Sequence, residues 1–125
     1  MKQAAIIVLF IFITASLVLA ATVKPLSVKD AQALIAKTPN LYILDVRTPD
    51  EYRQARMKNS VLIPVNDLER RVNEVPKNRP VLVICAVGAR SKPASDFLVS
   101  KGYKDVYHLN DGLVGWYRAG LPVER

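Results

Sequence analysis

Short apolar runs alternate along the chain with segments whose apolar residues recur every three or four positions. Runs at 41–46, 81–84 and 105–109 are typical of short buried strands, and 60–64 forms a further extended piece. The helical spacing between them predicts helices over 28–37, 49–54, 66–75, 91–101 and 113–119. Strands that alternate with helices predict an α/β domain, with a mainly parallel sheet covered by helices on both faces.

Turn and capping residues mark the ends of several predicted helices. Thr48 is followed by Pro49 and by an acidic residue three positions after the cap, which is a strong helix start. Ser27 has capping-box spacing before the first helix, and Asp111 is expected to cap the last one. Gly102 suits a left-handed cap at the end of the 91–101 helix.

The first twenty residues have a different pattern. Residues 4–21 are apolar except for Thr14 and Ser16, and a single lysine precedes them. Within 18–20, small or modest residues stand at the −3 and −1 positions of a cleavage site before Ala21. This predicts a signal peptide at 1–20 and a folded domain at 21–125, exported and expected in the periplasm. The alternative is an uncleaved anchor that holds the domain to the membrane outside the cytoplasm, because the run nearly reaches the ~18–20 residues that span a bilayer.

Composition narrows the possible partners and cofactors. The net charge of +7 favours small anions, whereas a nucleic-acid partner is not expected, since no aromatic-basic interleaving is present. One cysteine forms no internal disulfide. One histidine and one cysteine, without paired ligand spacing, predict no metal site and no cofactor.

The single cysteine, Cys85, directly follows the 81–84 run, where a loop of small residues leads into a helix. In parallel sheets, ligands bind beyond the carboxyl ends of the strands. Backbone N–H groups of a tight loop and a helix N-terminus favour a sulfur anion there. Gly88 permits backbone angles closed to other residues, Arg90 donates hydrogen bonds to an oxyanion, and Ser91 is expected to cap the helix. The pattern predicts a sulfur that attacks, is loaded and is attacked in turn; the alternative is an inert buried thiol.

Three stretches resemble a single-domain rhodanese: 45–52 (DVRTPDEY), the loop 85–91 (CAVGARS), and the tail from 102 to 122 with its glycines and tryptophan. The resemblance covers nearly all of the chain after residue 25. It implies a rhodanese-like three-layer α/β fold and sulfurtransferase activity. Cys85 would take the outer sulfur of a small anionic donor such as thiosulfate and hold it as a persulfide. A thiophilic acceptor, cyanide in an assay and a thiol in the cell, including one on a protein, would then remove it.

The same resemblance assigns site roles to this chain's residues. Arg90 would hold the anionic donor, and Ser91 would support the loop. Asp45 and Arg47 are interpreted as a pair that braces the loop or lines its mouth, or as an ordinary salt bridge. The backbone amides that would cradle the persulfide are those of Ala86, Val87, Gly88, Ala89 and Arg90.

Some features of the loop separate alternative functions. Four residues stand between Cys85 and Arg90, a tighter ring than the five found in cysteine-dependent phosphatases of related fold, so it suits a single sulfur atom. Residues 56–60 (RMKNS) stand where rhodaneses often carry a His-Ile-Pro-Gly-Ala run, and no basic residue follows the cysteine directly, so fewer charges would meet thiosulfate.

A non-catalytic sulfur carrier or partner-binding module on the same fold, with Cys85 loaded by another protein, is the alternative function. A domain with an inert Cys85 is a third. His108, Trp116 and Tyr117 are expected to be structural, the last two as core or sheet-covering residues.

Overall fold

A five-stranded parallel sheet forms the centre of the protein in the computed structural model, which describes residues 2–14 and 21–125. The lateral order is β1-β5-β4-β2-β3, and every neighbouring pair is parallel. All four residues of the middle strand are buried, as its unbroken apolar run predicts. The strands are β1 (Lys24–Leu26), β2 (Tyr42–Asp45), β3 (Ser60–Leu62), β4 (Val81–Ile84) and β5 (Val106–Leu109).

Helices cover both faces of the sheet. They are α1 (Val28–Lys37), α2 (Pro49–Gln54), α3 (Val65–Arg71), α4 (Ser91–Ser100) and α5 (Gly112–Arg118). Alternate residues of β4 belong to two separate cores, because successive side chains of a strand point to opposite faces. Val83 packs in one core with Leu68 of α3 and Leu98 of α4. Leu82 packs in the other core with residues of α1 and α5, so the predicted three-layer α/β architecture is confirmed.

Local capping signals account for the starts of α1 and α2. The Ser27 hydroxyl accepts the backbone N–H of Asp30 at 3.1 Å. Thr48 and Glu51 form a reciprocal capping box, with Pro49 at the first helical position. Both interactions satisfy N–H groups that have no partner inside the helix.

Three details of the fold differ from the sequence-based expectations. Strand β1 was not predicted, since a three-residue edge strand containing Pro25 becomes visible only through its pairing with β5. The predicted 66–75 helix is divided, because α3 ends at Arg71 and a 3-10 turn follows over Val72–Glu74. Tyr117 was expected to cover the sheet but is 57% exposed, whereas Trp116 is buried as predicted.

The expected capping role of Asp111 is also wrong. Asp111 occupies the cap position of α5, but its side chain makes no capping hydrogen bond. The backbone N–H groups of Leu113 and Val114 donate instead to the carbonyls of Cys85 and Ala86, at 2.8 and 3.0 Å. The first turn of α5 therefore has backbone partners from the loop after β4.

Residues 2–14 form no helix or strand and are exposed. Met1 and residues 15–20, which include the predicted cleavage site, lie outside the described residues. Among the helices of 2–14 and 21–125, none is long and apolar enough to cross a membrane. The signal peptide at 1–20 remains a prediction.

Candidate active site

Cys85 lies at the carboxyl edge of the sheet, one residue beyond the end of the central strand β4. The loop after it is short, and α4 begins at Ser91. Cys85 has no exposed surface and packs in the core beside Val83 and Ala94. A parallel sheet places the ends of β5, β4 and β2 along one edge, so residues that follow all three strands come together here.

Two backbone N–H groups donate to the Cys85 Sγ. Gly88 N lies 3.1 Å from Sγ and Ser91 N lies 3.3 Å from it. The expected capping role of Ser91 is wrong: Arg90 occupies the cap position of α4, which has no side-chain cap. Ser91 is the first residue of the helix, and its N–H, which is free of intrahelical bonds, points to the sulfur.

Hydrogen bonds lower the pKa of the Cys85 thiol below its ordinary value. Burial alone raises this pKa, because it disfavours the anion. The Ser91 hydroxyl and the N–H groups of Ser91, Arg90 and Gly88 stabilise the thiolate and outweigh burial. This environment favours an anionic sulfur without a cationic side chain in direct contact.

Close packing of the turn between β5 and α5 supports the loop. Gly88 has φ +94°, and a Cβ there would collide with the carbonyl oxygen of Asn110. Gly112 has φ +62°, and a Cβ there would collide with the carbonyl oxygen of Ala86. Glycine is required at both positions because only it combines a positive φ with so close a backbone approach.

Arg90 does not project alone over the loop. Its two terminal nitrogens donate to the two carboxylate oxygens of Glu51, at 2.7 and 2.9 Å. The Arg90 hydrogen bond, helped by the bonds from Thr48, lowers the pKa of Glu51 to about 2 although burial opposes it. Glu51 was expected at the start of α2 and within the 45–52 stretch, but nothing in the local sequence links it to a residue 39 positions later.

Asp45 and Arg47 form a buried salt bridge at the end of β2. Arg47 donates through Nε and a terminal nitrogen to Asp45, with 2.7 Å for the shortest contact. Arg47 also donates to the carbonyls of Glu51 and Ala55, so the pair fixes both ends of the α2 segment. That geometry fits a bracing role, which remains a prediction.

A pocket of about 540 Å³ opens beside the loop at Ala86. Apolar atoms of α5, including Tyr117, form one wall. Three arginines and Glu51 supply its charges: Arg47, Arg118 and Arg125 carry positive charge. The volume falls in the range of small-molecule sites.

The structure also gives the positions of Val87, Ala86 and His108 relative to the site. Val87 is 61% exposed, and Ala86 is the loop residue that lines the pocket. His108 is buried in β5, with Nδ1 3.1 Å from the Ser91 hydroxyl. Within 2–14 and 21–125, no group of three or more His, Cys, Asp or Glu side chains is arranged to hold a metal ion.

The sequence of residues 27–119 matches the family model described as a rhodanese-like domain. This chain belongs to the rhodanese family. Three proteins similar to this rhodanese are described as sulfur-handling proteins. A sulfurtransferase of Allochromatium vinosum is 36% identical over 89 residues, covering 71% of this chain and 83% of the relative. Thiosulfate sulfurtransferase GlpE of Vibrio cholerae is 30% identical over 99 residues, covering 79% of this chain and 92% of the relative.

A third relative bears a different description. The putative sulfur carrier protein YrkF of Bacillus subtilis is 31% identical over 97 residues, covering 78% of this chain and 52% of the relative. The fold is also similar to the crystal structure of a rhodanese-related protein from Thermoplasma volcanium, with a TM-score of 0.73 at 29% identity. That match covers 81% of this chain and 97% of the neighbour. Family and relatives together support a role as a sulfurtransferase or a sulfur carrier, with sulfur donors and acceptors as partners.

Proposed function

We propose that this rhodanese is a sulfurtransferase that works through a persulfide on Cys85. The observation that carries the proposal is the pair of backbone N–H groups, from Gly88 and Ser91, that donate to the sulfur at 3.1 and 3.3 Å. A thiolate held this way is the nucleophilic form of cysteine. The same N–H groups favour a negative charge on a persulfide.

In the proposed first half-reaction, the Cys85 thiolate attacks the outer sulfur of a donor. With thiosulfate, the new bond joins Sγ to that sulfur, and the bond to the sulfonate sulfur breaks, so sulfite leaves with the electron pair. In the second half-reaction, a thiolate or cyanide attacks the outer sulfur of the persulfide. The Sγ–S bond then breaks and the Cys85 thiolate returns, so both steps are nucleophilic displacements with a covalent intermediate.

In this proposal, the loop after β4 surrounds the transferred sulfur, and neighbouring groups support the loop. The backbone amides of Ala86, Val87, Gly88, Ala89 and Arg90, with that of Ser91, would surround the outer sulfur. Arg47 and Asp45 would keep the mouth of the site in place by bracing α2. The pocket beside Ala86 would admit donor and acceptor in turn.

The decisive experiment compares the protein with Cys85→Ser in a thiosulfate and cyanide assay that follows thiocyanate. We expect turnover in the protein and none above background in Cys85→Ser, because a hydroxyl at neutral pH does not form the attacking anion. Ser100→Ala, an exposed position at the end of α4, is the matched control and should keep full activity. Equal turnover in Cys85→Ser would contradict the proposal.

The second candidate is a sulfur carrier, favoured by the similarity to YrkF. Such a protein would accept sulfur on Cys85 from another protein and deliver it without turning over small donors. Intact mass spectrometry separates the two candidates. A gain of one sulfur atom after treatment with a persulfide, without thiocyanate formation, supports the carrier.

We also propose that residues 1–20 direct export, as the apolar run behind Lys2 suggests. Fractionation of a bacterial host that expresses the full chain would place the mature domain in the periplasm, with loss of about twenty residues by mass. An intact N-terminus in the membrane fraction would indicate the anchor instead. Protein found intact in the cytoplasm would contradict both.

A further inference from the structure

The two arginines that the sequence assigned to the site are each paired with a carboxylate. Arg47 is paired with Asp45, and Arg90 is paired with Glu51 through two hydrogen bonds. The pKa of Glu51, about 2, keeps that carboxylate ionised at neutral pH. The attraction of the loop for negative sulfur therefore comes from backbone N–H groups and not from net side-chain charge.

Glu51, and not Arg90, is the member of this pair that faces the pocket. It lines the pocket beside Ala86, whereas Arg90 is not among the described residues that line it. A donor that enters through this pocket meets the carboxylate. Thr48 fixes this position, since its backbone N–H and its hydroxyl both donate to Glu51.

The remainder of the pocket suits an organic group. Its volume of about 540 Å³ far exceeds the space that a five-atom anion such as thiosulfate needs. Leu113, Val114 and Tyr117 provide an apolar wall, and Arg118 and Arg125 provide positive charge on other parts of the lining. Among the ion pairs that the structure describes, neither of these arginines takes part.

We propose that Glu51 determines donor specificity: by holding Arg90 and facing the pocket, it disfavours dianionic thiosulfate and selects carboxylate-bearing organic persulfides. This inference rests on the proposed function. The organic part of such a donor would occupy the apolar wall and place its carboxylates near Arg118 and Arg125. Once this donor's outer sulfur has been transferred to Cys85, it carries the negative charge that the backbone N–H groups of the loop stabilise.

The chemical step with such a donor is balanced without a further reactant. The Cys85 thiolate attacks the outer sulfur of R–S–S–H, the Sγ–S bond forms, and the R–S to S bond breaks. The leaving thiolate takes the electron pair and the persulfide proton, so the products are R–S–H and the Cys85 persulfide anion. With thiosulfate the leaving group is sulfite, a dianion that must form close to the Glu51 carboxylate.

The first test compares kcat/KM for thiosulfate and for glutathione persulfide, with one acceptor, in the protein and in Glu51→Gln. The amide keeps an oxygen for the capping box but removes the charge. We expect kcat/KM for thiosulfate to rise roughly tenfold in Glu51→Gln, because one negative charge near a dianion is lost and Arg90 is released. The value of kcat/KM for glutathione persulfide should change less than twofold. In the unaltered protein, it should exceed kcat/KM for thiosulfate.

Asp50→Asn is the matched control, because it removes a carboxylate from the neighbouring residue, which is exposed and paired with Arg53. This variant should leave kcat/KM unchanged for both donors. Glu51→Ala is a second variant, in case the amide forms its own bond to Arg90, and should change donor preference in the same direction. Circular dichroism melting shows whether each variant is folded.

A second test uses alkylation of Cys85 to measure how the charge of Glu51 affects the approach of an anion to the sulfur. It requires no sulfur transfer. Iodoacetate and iodoacetamide alkylate the same thiolate and have similar size, but only iodoacetate is negatively charged. The ratio of their rates cancels any change in thiolate fraction. We expect Glu51→Gln to raise the iodoacetate-to-iodoacetamide ratio roughly threefold and Asp50→Asn to leave it unchanged.

The outcomes separate the inference from the proposed function. If neither donor loads sulfur on Cys85 of the unaltered protein, the proposed function fails and the donor assignment fails with it. Sulfur transfer in the unaltered protein tests the proposed function. If that transfer is normal but Glu51→Gln changes kcat/KM equally for both donors, or leaves the alkylation ratio unchanged, only the role of Glu51 is overturned. A preference of the unaltered protein for thiosulfate overturns the donor class.

Discussion

At the scale of single residues, Ser91 connects the Cys85 sulfur to the rest of the protein. Its N–H donates to Sγ, and its hydroxyl donates to the Gly88 carbonyl at 3.2 Å and lies 3.1 Å from His108 Nδ1. Burial, and then the charge of Lys92, lower the pKa of His108, although Asp96 opposes them. The imidazole is therefore neutral at pH 7, and the Ser91 hydroxyl holds the loop against an uncharged buried partner.

Ser91→Ala should raise the pKa of the Cys85 thiol, because the hydroxyl is among the groups that lower this pKa and also holds the Gly88 carbonyl, next to an N–H that donates to the sulfur. Iodoacetamide alkylation followed from pH 5 to 9 would show its midpoint at higher pH than in the unaltered protein, with a severalfold slower reaction at the acidic end. Ser95→Ala is the control, since this buried serine of α4 bonds to the Ser91 carbonyl and not to the sulfur. An unchanged midpoint in Ser91→Ala would contradict this assignment.

At the scale of elements, the loop after β4 and the start of α5 form one unit. Leu113 and Val114 donate their backbone N–H groups to the carbonyls of Cys85 and Ala86. Gly112 allows this approach, because any Cβ would meet the Ala86 carbonyl. The position of the sulfur thus depends on an element that lies more than 25 residues later in the chain.

Gly112→Ala should cost roughly 3 kcal/mol or more of unfolding free energy, since it combines a positive φ with a backbone collision. Gly120→Ala is the matched control. It also has a positive φ, of +78°, but nothing lies within 4 Å of its Cβ, so we expect about 1 kcal/mol. Urea unfolding measures both values, and sulfur transfer should fall in Gly112→Ala alone. Equal losses of stability would contradict the collision argument.

At the scale of the whole molecule, the two cores on the faces of the sheet provide the stability. Their buried residues begin at Ala31, and the partly buried ones that pack against them begin at Val23. Residues 2–14 are exposed and contribute to neither core. Stability should therefore reside in 21–125.

A chain that begins at residue 21 should keep the midpoint of thermal unfolding within about 2 °C of the full chain, because no core contact is lost. A chain that begins at residue 27 lacks β1 and its pairing with β5. It should melt at least ~5 °C lower, as its edge hydrogen bonds and the Leu26 contact are removed. Differential scanning calorimetry checks both values, and equal melting of the two shortened chains would contradict the role assigned to β1.

Local patterns in the sequence predicted the order of the elements from α1 onward and the place of the thiol. Apolar periodicity and capping residues act over a few positions, so the 81–84 strand, the capping box at Thr48 and the position of Cys85 beyond a strand end were predicted from local pattern. The surroundings of the sulfur depend instead on contacts between distant parts of the chain. The pairing of Glu51 with Arg90, the pairing of β1 with β5 and the approach of Gly112 to Ala86 each join distant parts of the chain. Such contacts depend on how strands are ordered in the sheet and how closely backbones pack, and no local pattern of residues encodes either one.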